Sequence, residues 1–229
     1  MVTIAERLDA AYDRIAQAAK KCGRDYKDIN LIAVSKKKPL EDILAAFAHG
    51  HREFAESYVQ EGVEKVLQLK EHKNIVWHFI GPIQSNKTKL IAENFTWVQS
   101  VDREKIAKRL NEQRPNNLKP LQVLIQVNID NDENKSGCSV EELPKLAEFI
   151  HNCRQLELRG LMAIPAQSMS FDTQLQSFAQ LRACFDKLKT QYPQLDTLSM
   201  GMSADVDAAI AAGSTMVRVG TAIFGERQQ

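Results

Sequence analysis

Short apolar runs and amphipathic stretches alternate along this chain, and that alternation restricts its fold more than any other feature. Eight runs read as strands: residues 29–35, 52–57, 74–81, 96–101, 121–129, 156–164, 198–202 and 216–223. A helical segment precedes the first run, and another follows each of the first seven. Strict alternation of this kind calls for parallel pairing with the helices outside. Eight units of roughly 25–30 residues match a closed barrel. The expected fold is a single α/β domain over residues 1–229, a TIM-type (β/α)8 barrel with an extra N-terminal helix. An open doubly wound sheet is the alternative, but no G-x-G-x-x-G follows the first strand, where Lys36 stands instead.

Local signals support the helices. Thr3 and Glu6 form a capping-box pair ahead of a stripe of Ile4, Leu8, Tyr12 and Ile15, and Gly23 stops it. Val59, Val63, Val66 and Leu67 are expected to face inward on the helix after the second strand. Asp102 is the expected N-cap of the helix carrying Ile106 and Leu110, and Ser139 with Glu142 forms a second capping box. Leu175, Phe178, Leu181, Phe185 and Leu188 recur at helical spacing before Pro193.

Composition removes several functional classes. A net charge of +1 gives no long-range attraction for nucleic acid or an anionic membrane surface. No apolar run approaches the ~18–20 residues needed to span a bilayer. Glu6, Arg7, Asp9 and Asp13 interrupt any signal-peptide core, so the expected location is the cytoplasm. Cys22, Cys138, Cys153 and Cys184 are scattered and read as reduced thiols, and the five histidines include no H-x-x-x-H pair. No metal site is expected.

The chemistry is expected at the end of the first strand. Ile32, Val34 and Lys36 share one parity, so Lys36 is the inward candidate among Lys36, Lys37 and Lys38. A partly desolvated lysine at the carboxyl end of a barrel strand can attack a carbonyl. The plain alternative is a solvated basic loop. Strand seven ends Leu198-Ser199-Met200-Gly201-Met202-Ser203, and strand eight reads Val217-Arg218-Val219-Gly220-Thr221. Barrel loops after strands seven and eight commonly hold a phosphate through backbone N–H groups. Arg218 shares the parity of Gly220, and burial of its guanidinium demands a partner. That partner is either a buried carboxylate such as Glu53 or Glu56, or a ligand's ring nitrogen. An amine, a phosphate cradle and an arginine between them suit pyridoxal 5′-phosphate (PLP), which carries an aldehyde and a phosphate at opposite ends.

Seven stretches then mark a resemblance over nearly the whole chain. They are Ile32-Ala-Val-Ser-Lys36, Tyr58-Val-Gln-Glu-Gly62, Trp77-His-Phe-Ile-Gly-Pro-Ile-Gln-Ser-Asn-Lys87 and the loop from Asn128 to Gly137. The others are Arg159-Gly-Leu-Met-Ala-Ile-Pro165, the strand-seven sequence above and Arg218 to Gly225. With these the chain resembles the pyridoxal phosphate homeostasis protein family, whose barrel is similar to the N-terminal domain of alanine racemase. The resemblance implies Lys36 as the lysine in Schiff-base linkage to the cofactor. It implies phosphate contacts from Ser199, Ser203, Gly220 and Thr221, and Arg218 facing the pyridine nitrogen. Ser57, Met162, Gly201 and Met202 complete the expected cofactor-binding set. His78, Asn86 and Lys87 belong to the family string without a role from first principles, His78 reading equally as a satisfied core histidine. Lys135 reads as an ion pair in an acidic loop with Asp130, Asp132 and Glu133. The family usually has F-G-E-N-Y after strand two, where this chain has Phe54-Ala55-Glu56-Ser57-Tyr58. Ser57 is shorter than asparagine and makes fewer hydrogen bonds.

The resemblance implies a protein that binds PLP, and with it other B6 vitamers, and governs its supply to PLP-requiring apoenzymes without turning over amino acids. A racemase is the enzymatic alternative, but it needs a second acid/base group opposite Lys36. The added β-domain that supplies one in alanine racemases is not expected here, since only Glu226, Arg227, Gln228 and Gln229 follow Gly225. A cofactor-free Schiff-base aldolase is a third reading. A monomer is expected, because no exposed apolar stripe is evident.

Overall fold

A computed structural model of the chain describes residues 2–132, 134–166 and 170–226. Eight strands close into a barrel in chain order. They are β1 (Asn30–Val34), β2 (Glu53–Glu56), β3 (Val76–Phe79) and β4 (Trp97–Val101). β5 (Leu121–Gln126), β6 (Leu156–Met162), β7 (Thr197–Ser199) and β8 (Met216–Val219) follow. Every neighbouring pair is parallel, and β8 closes the ring on β1 with Arg218 opposite Ile32. The outer helices are α1 (Ile4–Lys21), α2 (Leu40–Ala48), α3 (Val59–Gln68), α4 (Thr88–Asn94) and α5 (Glu104–Gln113). They continue with α6 (Leu143–His151), α7 (Phe171–Gln191), α8 (Val206–Ala211) and α9 (Thr221–Phe224).

The pleat sorts side chains into two environments. Outward residues such as Phe54, Phe79, Val98, Ile125, Leu161 and Val217 pack under the helices in one continuous apolar layer. Burying each such side chain contributes about 1.5–3 kcal/mol, which is why the alternation alone specifies the architecture. The inward layer is small and mixed. Ile32, Ala55 and Met216 pack with Val34, Ile80 and Trp97, and the remaining inward positions include His78, Gln99, Ser199 and Arg218.

Two local features shape the ring. Arg159 is an extra residue in β6 between the pairs Val123–Leu158 and Leu124–Gly160. The bulge needs a glycine beside it: Gly160 has φ +154°, and a Cβ there would fall on the Thr197 carbonyl. At the N-terminus, Thr3 Oγ1 accepts from the Glu6 N–H (3.2 Å) while Glu6 accepts from the Thr3 N–H (2.7 Å), completing the expected capping box.

Several expectations need correction. Strand eight stops at Val219, because a short helix begins at Thr221. β7 likewise stops at Ser199 and β6 at Met162. The helix expected over 84–94 opens with a 3-10 turn, Ser85–Lys87. Asp102 does not cap α5; the N-cap position is Arg103, and Asp102 accepts from the Arg103 guanidinium instead (2.6 Å). Leu67 lies on the outer side of α3 and is exposed, since only Gly62, Val63 and Lys65 are buried on that helix.

Candidate cofactor site

The rim at the carboxyl ends of the strands gathers the expected residues from five places. β1 runs into a turn closed by the Lys38 N–H and the Ser35 carbonyl (3.1 Å), with Lys36 partly buried in it. Ser57 follows β2, Met162 ends β6, Ser199 ends β7, and Arg218 lies in β8. Closure of the barrel places the turns after β7, β8 and β1 side by side.

Gly220 touches this junction directly: a Cβ on it would lie 3.2 Å from the Val34 carbonyl oxygen. The backbone beyond it begins α9, whose first N–H groups lack acceptors within the helix. Thr221 is exposed there, and Ser203 is partly exposed on the β7 loop. That loop turns at Gly201, with φ +100° and no room for a side chain against the Ala209 methyl. The Met202 N–H donates to Asp205 (2.6 Å), and the Ser203 carbonyl accepts from Arg14 (2.5 Å), so the loop is tied at both ends.

Arg218 is the buried centre of the site. Its guanidinium donates to Ser199 Oγ (2.6 Å) and to the Ala163 carbonyl (3.0 Å). Burial pushes its pKa down to about 10, opposed by the Asp205 carboxylate, so it stays charged at neutral pH. The expectation that Glu53 or Glu56 neutralises it directly is not met. Glu56 points outward and accepts from Ser35 Oγ (2.6 Å) and Lys65 Nζ (2.9 Å). Burial raises the Glu56 pKa despite the Lys65 ammonium.

Glu53 is instead reached through a chain inside the barrel. His78 Nε2 lies 2.6 Å from Glu53 Oε2; a carboxylate only accepts, so Nε2 carries the proton. Nδ1 of the neutral ring then accepts from the Gln99 amide nitrogen (3.0 Å). That orientation aims the Gln99 carbonyl at Ser199, whose hydroxyl donates to it at 2.6 Å. Ser199 is left to accept from Arg218. Every donor in the chain points away from the guanidinium and toward the carboxylate. Ser199, expected at the phosphate, therefore has its one proton directed inside the barrel. His78 is the satisfied core histidine of the plain reading, fully buried and stacked on Trp97 (5.3 Å, 16°).

The remaining expected residues lie around the mouth. Ser57, Tyr58, Pro82 and Lys87 line a cleft of about 330 Å³. Lys135 pairs with Asp130 (2.6 Å), as expected, and borders a second cleft of about 180 Å³ with Ile80, Gln126 and Ile164. Ala55, in place of the usual glycine, packs its methyl against Ile32 and Met216. Glu133 and residues 227–229 lie outside the described residues. Among the described residues no cluster of three His, Cys, Asp or Glu could hold a metal, and no helix is long and apolar enough to cross a membrane. Gln99, Glu61 and Lys65 were not anticipated from sequence. A signal existed for the last two, an i,i+4 Glu–Lys pair on a helix next to a strand ending in glutamate.

Known proteins share both the sequence and the fold. Residues 7–228 match the family model described as alanine racemase, N-terminal domain. A protein of Vibrio alginolyticus named pyridoxal phosphate homeostasis protein is 53% identical over 230 residues, covering 99% of each chain. The protein of the same name from Escherichia coli K12 is 52% identical over 229 residues, covering 99% of this chain and 98% of its own. The chain belongs to the pyridoxal phosphate homeostasis protein family. The structure of PipY from Synechococcus elongatus with PLP bound superposes with a TM-score of 0.81 at 34% identity, covering 97% of this chain and all of PipY. This pyridoxal phosphate homeostasis family chain therefore shares its fold with a protein whose structure contains PLP.

Proposed function

We propose that this protein binds pyridoxal 5′-phosphate as a Schiff base on Lys36 and acts in the intracellular supply of vitamin B6, without turning over amino acids. The observation that carries the reading is the buried, charged Arg218 held at the barrel mouth, beside the Gly220 turn and the turn bearing Lys36. That donor set fits the cofactor. It offers a primary amine for an aldehyde, a guanidinium for a ring nitrogen's lone pair, and backbone N–H groups with the Ser203 and Thr221 hydroxyls for a dianion. Met162 at the end of β6, Gly201 and Met202 in the β7 loop and Ser57 after β2 complete the proposed binding set.

Lys36 would hold the cofactor through its amine, which would condense with the aldehyde and release water. Arg218 supports the part of this reading that excludes turnover. It stays charged and would hold the ring nitrogen without giving it a proton, so the cofactor would supply a weaker electron sink there than a protonated ring does. The names of the two curated relatives, both homeostasis proteins, favour the same reading. Release to PLP-requiring apoenzymes, binding of other B6 vitamers, action as a monomer and a cytoplasmic location belong to this proposal. A racemase-like activity is the second reading, favoured by the match to the alanine racemase N-terminal domain.

Purified protein mixed with PLP should turn yellow, with an absorbance band abolished by borohydride and the label mapped by mass spectrometry to Lys36. Lys36→Ala should lack that band. Protein that stays colourless with added PLP overturns the proposal. Incubation with D- and L-amino acids in deuterated water should give no Cα exchange at catalytic rates, and rapid exchange would establish the racemase reading.

A further inference from the structure

Three lysines stand in a row at the end of β1, and the backbone around the first is held from outside the site. The peptide units on either side of the Lys36 Cα each have a partner on α3. The Ser35 carbonyl accepts from Lys65 Nζ (2.7 Å), and the Lys37 N–H donates to Glu61 Oε1 (2.5 Å). Because peptide units are planar, fixing both sets φ and ψ of residue 36 and hence the direction of its side chain. Lys65 is buried and fully used: its three protons go to Ser35 O, Glu56 Oε1 (2.9 Å) and Glu61 Oε1 (2.7 Å). Ser35 Oγ closes the cluster on Glu56 Oε1 (2.6 Å).

This cluster is a costly way to fill space behind a strand. It sets two carboxylates against one ammonium, and Glu56 Oε2 is buried with no hydrogen-bond partner among the described residues. Well-packed apolar side chains would serve stability as well or better. The turn is also strained at Lys37, a non-glycine residue at φ +57°, a conformation costing about 1 kcal/mol or more. What the ionic cluster supplies and apolar packing would not is a fixed backbone on both sides of one residue.

The geometry points to Glu61 and Lys65 as positioning residues that select Lys36, over Lys37 and Lys38, as the amine that meets an aldehyde. The inference rests on the cofactor reading of Lys36 and adds to it the device that makes one of three adjacent amines the reactive one. Neither residue contacts the cofactor in this account; both act through the backbone.

The test compares wild type with Glu61→Ala, which leaves the Glu56–Lys65 pair in place, and with Glu61→Gln, whose amide carbonyl keeps an acceptor for the Lys37 N–H. Each protein is incubated with PLP, reduced with borohydride and mapped by peptide mass spectrometry. Wild type and Glu61→Gln should carry the label on Lys36. In Glu61→Ala the ratio of label on Lys37 plus Lys38 to that on Lys36 should rise by about tenfold, as expected when a reacting group loses its orientation. A second arm reductively methylates each ligand-free protein with formaldehyde and compares the three lysines. Loss of Lys36 preference in Glu61→Ala is again expected. An unchanged ratio in both arms, with circular dichroism showing a folded protein, overturns the inference. Wild-type label away from Lys36 defeats the cofactor reading instead, and the formaldehyde arm still decides the role of Glu61. Should Glu61→Ala fail to fold, Lys65→Arg carries the test, since a planar fork cannot reproduce three diverging ammonium donors; the same spread of label is expected, and its absence overturns the inference.

Discussion

The two faces of the barrel wall follow different rules. The outer face, under the helices, is apolar except where Ser35 and Glu56 meet Lys65, with Phe54 and Phe79 fully buried. The inner face crosses the barrel with a carboxylate, an imidazole, an amide, a hydroxyl and a guanidinium, joined end to end. Outer residues are interchangeable with others of similar volume, because dispersion and water exclusion have no direction. Inner residues are not, because each hydrogen bond fixes the orientation of the next. The contrast separates the part of the sequence that makes the barrel from the part that makes a site in it.

The contrast can be broken by experiment, starting with the largest effect. Phe79→Ala should lower unfolding free energy by about 3–5 kcal/mol in urea titrations, while PLP affinity at temperatures where the protein remains folded changes little. A collapse of affinity without loss of stability would erase the distinction. Gln99→Leu leaves the Ser199 hydroxyl and His78 Nδ1 without their partner and should cost about 1–3 kcal/mol. It should also shift the absorbance band of the PLP-loaded protein, because Arg218 loses its support through Ser199; an unshifted spectrum would make the chain mere filling. Glu53→Gln, at the far end, should cost less, about 1 kcal/mol, and shift that band less than Gln99→Leu does.

A pH series sharpens the contrast at the barrel's other end. His51 Nε2 lies 2.7 Å from the Glu53 carbonyl and so carries the proton, while Nδ1 accepts from Tyr12 (2.8 Å). Burial holds its pKa below the ordinary 6.5, so the native ring stays neutral where the unfolded one charges. The unfolded state then binds more protons, and stability complete above about pH 6.5 declines as the pH falls through that value, until the native ring also protonates. Melting temperatures between about pH 7.5 and 5 should show that decline, and His51→Phe should flatten it. Smallest of all, Leu67→Lys on the exposed side of α3 should change stability by no more than about 0.5 kcal/mol by the same measurement.

The outer face is also the one that sequence makes legible. Each strand's alternation and each helix's stripe repeat within a few residues, so architecture, strand order and the parity of Lys36 and Arg218 follow from local pattern. Element ends do not. Strands seven and eight both run on in sequence as apolar residues, but glycine and the onset of helix end them at Ser199 and Val219. The inner chain is hidden for another reason. Glu53, His78, Gln99, Ser199 and Arg218 lie on five strands, and only the closed register brings them within hydrogen-bond reach. Gln99 looks like an ordinary polar residue in an apolar run. Lys65 was obscured by its type, because a lysine on a helix is expected in solvent.

Ring closure between β1 and β8 has a further consequence. The amine of Lys36 and the guanidinium of Arg218 come from opposite ends of the described chain, and Ile32 and Arg218 face each other only once the ring shuts. A nascent or partly unfolded chain lacking that final seam would have half a pocket at each margin and a grip on nothing. Under the proposed function, ligand capture and seam formation would be thermodynamically linked, a tightly held small molecule acting as a clasp on the β1–β8 pairing.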